Sequence, residues 1–168
     1  MDVTKIDKSA YSVKRRGRRR SYLIPPELDG RKECKASYHK FRLTLKRAVM
    51  KIAPLGRAIQ EYNVARGTFT AEGGGSILPC IRKYEILASS IYGFASTSET
   101  LEGHFKALAK TLNAAGATVD ETDLAKCQRV SKWFDFLAPT DEKGSRKLKT
   151  PWDIATEYEL GLAPTGEK

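Results

Sequence analysis

Apolar residues recur along most of the chain at three- and four-residue spacing, the period of a helix with one buried face. The clearest case runs from Arg31 to Ile52, where Cys34, Tyr38, Phe41, Leu45, Ala48 and Ile52 share one stripe. Pro54 ends or kinks that helix, because its ring removes a backbone donor and crowds the turn before it. A second helix is expected from Ala53 to Ala65, with proline near its first turn, Leu55, Ile59 and Tyr62 inward and Gly67 as its stop. Residues 67–76 include Gly73, Gly74 and Gly75 and read as a loop, which lacks the Gly-Lys-Ser/Thr ending of a phosphate-cradling nucleotide loop.

Pro79 opens a third predicted helix reaching about Ala95. It is apolar nearly all round through Ile81, Tyr84, Ile86, Leu87 and Ile91, which predicts a place at the centre of the core. Ser96 to Glu99 has the capping-box pattern and predicts a new helix there, with Leu101, Phe105, Leu108 and Leu112 on one face and an end near Gly116. Thr118 to Glu121 repeats the pattern ahead of Leu124, Cys127, Val130, Phe134 and Leu137, a stripe stopped by Pro139. Trp133 and Phe136 fall off this stripe, so they either lie under the C-terminal segment, the preferred reading, or face a partner. After a polar loop over residues 140–149, Thr150 as N-cap, Pro151 at the first helical position and Gly161 beyond the end define a short helix to Leu160. Trp152 on it is expected to dock on the body.

No run alternates with period two and no internal repeat is present. The fold class is therefore all-α, a bundle of five or six helices preceded by an extended basic N-terminal arm. Residues 1–26 form arm and hinge, the hinge being Ser21 to Ile24 followed by Pro25 and Pro26, and residues 27–168 form a single helical domain.

Charge adds a functional direction. The 168 residues hold 30 Lys and Arg against 20 Asp and Glu, for a net charge of +10. The excess is segregated: residues 1–66 carry 18 cations against 6 acids, and the remainder 12 against 14. Such asymmetry implies a polyanionic partner for the N-terminal third. Lys14, Arg15, Arg16, Arg18, Arg19 and Arg20 are packed into seven residues whose repulsion predicts disorder until an anion is bound. Their guanidinium groups suit bidentate phosphate contact and stacking on bases, to which the flanking Tyr11 and Tyr22 would add. The plainer readings of such a run are a nuclear-localisation signal or a solubilising tail.

On the first helix, Lys32, Lys35, His39, Arg42 and Lys46 fall on one flank of the apolar stripe and Lys40, Arg47 and Lys51 on the other. No Asp or Glu occurs between Lys35 and Gln60, so the pairing of opposite charges four residues apart that calms a charged helix is missing. The candidate nucleic-acid-binding set is Lys14, Arg15, Arg16, Arg18, Arg19, Arg20, Lys32, Lys35, Arg42 and Lys46. Trp133, Phe136 and Trp152 are the candidates for a protein interface.

Other classes find little in the sequence. A helix-turn-helix reading of the fourth and fifth helices is opposed by Asp120, Glu121 and Asp123, acids that would meet phosphate at the start of the recognition helix. Cys34, Cys80 and Cys127 lie far apart without a paired motif, and are expected to be reduced and mostly buried. His39 and His104 are the two histidines, so neither a metal site nor a catalytic acid–base pair has a starting point, and no catalytic residue, metal or cofactor is expected. The longest uncharged stretch, Ile86 to Ser98, is too short and too rich in Ser, Thr and Gly to span a bilayer, and the basic run precedes any signal-like apolar segment. The expected setting is intracellular, in cytoplasm, nucleus or organelle, or inside a virion.

The function expected from these features is non-catalytic binding of RNA or DNA through its phosphate backbone, with little sequence specificity, by the basic arm and the basic helix, within a larger nucleoprotein assembly. The alternative is a viral coat or nucleocapsid protein that self-assembles around nucleic acid.

Overall fold

A computed structural model describes residues 32–71, 76–114 and 116–164 together with the segments 13–15 and 18–20; for those two segments and for 32–35 and 71 it describes the backbone alone. The protein is all-α in its body, with helices α1 (Lys32–Met50), α2 (Ile52–Ala71), α3 (Leu78–Ala114), α4 (Glu121–Leu137) and α5 (Pro151–Glu159). Two three-residue strands, β1 (Val13–Arg15) and β2 (Arg18–Arg20), pair antiparallel with Arg15 opposite Arg18. A single bridge joins Thr140 to Arg146. Runs of three residues are too brief to carry a period-two signal, and these short pairings leave the all-α class unchanged. The hinge at 21–26 lies outside the described residues, as do Tyr11, Tyr22 and the three glycines Gly73 to Gly75.

The architecture is a long helical hairpin with a third layer laid on it. α1 and α2 together make one arm, broken only at Lys51, and α3 is the other. Phe41 meets Phe105 at 6.0 Å between ring centroids and Tyr62 meets Tyr84 at 5.6 Å, so the arms run antiparallel along their full lengths. The break lies three residues ahead of Pro54, where the missing backbone donor opens the ladder and Lys51 bonds back to the Ala48 carbonyl instead.

Two buried seams hold the hairpin together. On the first arm Tyr38, Phe41, Leu45, Ala48, Ile52, Leu55, Ile59 and Tyr62 are all buried, alternating three- and four-residue steps without a fault across the break. On α3 the same alternation runs through Leu87, Ile91, Phe94, Ser98, Leu101, Phe105, Leu108 and Leu112, of which all but the half-buried Phe105 are buried. Each fully buried side chain of this size contributes about 2 kcal/mol of transfer free energy.

That continuity overturns one expectation. The capping-box residues Ser96 to Glu99 start no helix; they lie inside α3. The hydroxyls of Thr97 and Thr100 donate to the Gly93 and Ser96 carbonyls one turn back, and Ser98 occupies a seam position. Gly67 likewise does not stop α2, which continues to Ala71. Gly116 and Gly161 do terminate helices: each has positive φ, 76° and 79°, and each is followed by an amide that reaches five residues back, Ala117 to Leu112 and Leu162 to Glu157.

α4 lies on α1 and α3, and α5 on α2 and α3. The N-cap of α4 is Asp120, whose carboxylate accepts from the amides of Thr122 and Asp123, two residues later than the expected Thr118. The buried phase of α4 is Asp123, Cys127, Val130, Phe134 and Leu137, with Cys127 half-buried, and Leu124 is 36% exposed rather than inward. Trp133 and Phe136 are buried at 3% and 8%, Trp133 against Tyr158 of α5 and Phe136 under the Lys149 ammonium, so they offer no surface to a partner. Trp152 is 55% exposed and rests on the body at its edge, with the Arg66 guanidinium of α2 4.5 Å from its ring centroid. Cys80 and Cys127 are free and half-buried. Thr150 caps α5 with Pro151 in its first turn, as the sequence predicts.

Ser98 Oγ is buried and makes no hydrogen bond among the described residues. An unpaired buried hydroxyl costs stability, so Ser98→Ala is expected to raise the free energy of unfolding by about 1 kcal/mol, measured by urea denaturation; a decrease of similar size would show that the hydroxyl is bonded in solution.

Candidate nucleic-acid interface

The apolar seam fixes which α1 side chains reach solvent. With Tyr38, Phe41, Leu45 and Ala48 committed to the core, a helix of 3.6 residues per turn must point His39, Lys40, Lys46 and Arg47 outward, and all four are exposed. Lys51 at the break and Arg57 on α2 are exposed too. Arg57 follows Lys46 by eleven residues, three turns, and so continues the same face past Pro54. Periodicity taken one helix at a time misses Arg57; the unbroken phase of the seam across Pro54 is the signal that finds it. The face also carries exposed Met50 and half-buried Leu43.

The cations divide into those neutralised inside the fold and those that are not. Arg66 bonds Thr156 and Glu159 and lies over the Tyr62 and Trp152 rings. It lines an apolar groove of about 850 Å3 between α2, α3 and α5, and holds α5 in place. Arg146 reaches Asp135 at 2.7 Å, the Ala138 carbonyl at 2.9 Å and Glu102 at 2.9 Å while stacking on Phe134, which ties the loop after α4 to α3. Burial works against its charge, but these acids outweigh it and raise its pKa. Lys83 pairs with Glu61 and Lys149 with Glu157. By contrast Lys40, Lys46, Arg47 and Lys51 make no ion pair among the described residues, and neither does Arg57, although its charge acts on Glu61 one turn further on.

Arg42, one of the candidates, belongs to the first group. It is 33% exposed and lies 3.8 Å from the Asp123 carboxylate of α4, so the counter-charge that α1 lacks beyond Lys35 is supplied at this point by a neighbouring helix. Asp123 is 2% exposed, and its Oδ2 accepts no hydrogen bond among the described residues. Burial lifts its carboxyl above the ordinary value of 3.8 despite the opposing pull of Arg42. Burial, with Asp123 adding to it, also pushes the Tyr38 hydroxyl up to about 12, and burial pushes the Cys127 thiol up to about 11.

Of the remaining candidates Lys46 is exposed on the basic face. Arg16 lies outside the described residues, and Lys14, Arg15, Arg18, Arg19, Arg20, Lys32 and Lys35 are described by backbone alone. Among the described residues no group of three His, Cys, Asp or Glu is placed to hold a metal ion, and no helix is long and apolar enough to cross a membrane. Comparison of the chain with protein families, with curated proteins and with solved structures finds no match.

The raised pKa of Asp123 has a testable sign. The folded state holds that proton more tightly than the unfolded chain, so its stabilising contribution is present below pH 3.8 and disappears as pH rises through the folded value. Thermal unfolding from pH 3 to pH 7 is therefore expected to show Asp123→Asn gaining on the parent protein as pH rises. A change in favour of the parent would mean that the Arg42 attraction outweighs burial.

Proposed function

We propose that the protein binds nucleic acid through its phosphate backbone, using the exposed face of α1 continued by Arg57 on α2 and the basic N-terminal arm. The observation that supports this most strongly is the row Lys40, Lys46, Arg47, Lys51 and Arg57: five exposed cations on one rod, on a stretch with no acid between Lys35 and Gln60. A face kept merely soluble would mix its charges, as residues 67–168 do; a face of one sign is stabilised by a counter-charge from outside. Lys14, Arg15, Arg16, Arg18, Arg19 and Arg20 precede this helix and extend the same sign of charge along a strand of nucleic acid. Arg42 stabilises the α1–α4 contact in this scheme and is not a phosphate ligand.

The reading implies affinity with little sequence preference, because a rod presenting lysine and arginine to phosphates carries no pattern for base edges. It assigns no catalytic step to the protein.

The test is the salt dependence of binding to mixed-sequence RNA and DNA. Each phosphate that the protein neutralises adds about 0.9 to the slope of log affinity against log salt on duplex DNA and about 0.7 on single strands. Replacing Lys40, Lys46, Arg47 and Lys51 by Ala is expected to lower that slope by about 3 and to weaken binding alike for unrelated sequences, as read by fluorescence anisotropy. Leu45→Ala, a buried-seam change, is expected to cost about 2 to 5 kcal/mol of stability and to leave the slope of the folded fraction unchanged. A slope untouched by the four substitutions would remove α1 from the interface.

A further inference from the structure

The N-terminal half of α3 is apolar nearly all round, yet among the described residues only the side facing the other helices is covered. Half a turn away Leu78 and Ile86 are each 51% exposed, Ile81 is 44% exposed and Tyr92 71% exposed. Leu78, Arg82, Glu85, Ser89 and Tyr92 are all exposed and follow the same alternation of four- and three-residue steps that marks the buried seams, with Ile81 and Ile86 on its two flanks. This is a helix-pairing stripe with no described helix on it, and a soluble chain seldom leaves such a run uncovered.

The charges on the stripe say what fits it. Arg82 and Glu85 are its two ionic residues, neighbouring seam positions of opposite sign, and neither makes an ion pair among the described residues. A second copy of α3 laid antiparallel about a two-fold axis between them sets Arg82 against the partner's Glu85 and Glu85 against the partner's Arg82. The same register puts Leu78 over the partner's Ser89, a large residue against a small one. It also brings Ile86 beside the partner's Ile86 on one flank and Ile81 beside the partner's Ile81 on the other. A parallel pairing would oppose Arg82 to its own copy, so the charge pattern selects one orientation.

We infer that this face of α3 is a homodimer interface, an antiparallel helix pair centred between Arg82 and Glu85. It lies on the side of α3 turned away from α2, whereas Lys40, Lys46 and Arg47 point outward from α1, so the dimer presents two basic faces outward. The inference does not rest on the nucleic-acid reading, and its test is made without nucleic acid.

Sedimentation equilibrium of nuclease-treated full-length protein, from about 1 to about 200 µM, is expected to show the 18.7 kDa mass rising to twice that value and no further. Ile86→Asp, Arg82→Glu and Glu85→Arg are each expected to weaken the dimer at least tenfold. The double exchange of Arg82→Glu with Glu85→Arg restores it, because the opposed charges are again unlike. All three positions are exposed, and an unchanged helical circular dichroism signal confirms that the variants fold. A protein that stays monomeric throughout, a mass that grows past the dimer, or a double exchange no better than the single ones would each overturn the proposal.

Discussion

The contact on which the rest of the structure depends is the one between two apolar seams, Tyr38 to Tyr62 on the first arm and Leu87 to Leu112 on α3. Each steps by three and four residues without a fault, a mean period of 3.5, slightly short of the 3.6 of a straight helix. A period of 3.5 keeps two long rods in contact over many turns, where a 3.6 pattern would drift around the helix and away from its partner. That constraint accounts for the length of α3. Nothing in the local sequence at Ser96 to Glu99 favours a helix interior, but a break there would throw Leu101, Phe105, Leu108 and Leu112 out of phase with Leu87, Ile91 and Phe94. Ser98 holds the seam position with a hydroxyl that finds no partner among the described residues, and the packing on either side outweighs that cost.

The electrostatics follow from the seam. Once one side of α1 is fixed inward, its cations have only the flanks and the outer face, and from Lys35 onward the first arm supplies no acid to meet them until Glu61. Among the described residues the fold answers at one point. Asp123 stands in the buried phase of α4 beside Arg42, and the cation nearest the third layer is neutralised while those further round the helix are not. Arg66 and Arg146 show the same treatment elsewhere, each held by acids and aromatic rings as a fastener between helices. Arg82, Lys106, Lys110, Lys126, Lys132, Lys143 and Lys147 also make no ion pair among the described residues, but they lie on stretches that carry acids as well, whereas Lys40, Lys46, Arg47 and Lys51 lie on one that carries none.

The all-α class, the start and end of α5 and the buried stripe of α1 are legible in the sequence because each has a local cause: period, cap, proline, or a glycine with positive φ. What is not legible depends on phase across a boundary. The stripe of α1 and that of α2 are one seam, but Pro54 invites reading them apart; the two halves of α3 are one helix, but a capping box stands between them. In α4 a four-residue step back from Cys127 selects Asp123 where a three-residue step selects Leu124, and local periodicity allows both; Asp123 is the one buried, beside Arg42. Trp133 and Phe136 stand off their stripe because the layer that covers them, α5 and the stretch of chain leading to it, lies far along the sequence.

The same phase argument gives the uncovered side of α3 its weight. A helix in the middle of a bundle would justify apolar residues on every side, and Ile81, Tyr84, Ile86 and Leu87 together suggest one. α3 is instead one arm of a hairpin, covered by the other arm, by α4 and by α5, with a free sector half a turn from its seam. Residues there need not be apolar for the monomer to fold, since Arg82, Glu85 and Ser89 occupy that sector without disturbing the seam. Leu78, Ile86 and Tyr92 are thus not explained by the hairpin, and on the proposed pairing the sector becomes the junction of two hairpins whose basic rods point apart. If the proposed function holds, two such rods joined rigidly would engage a long polyanion with the second contact made intramolecular, which would give weak, sequence-indifferent phosphate contacts a way to hold it.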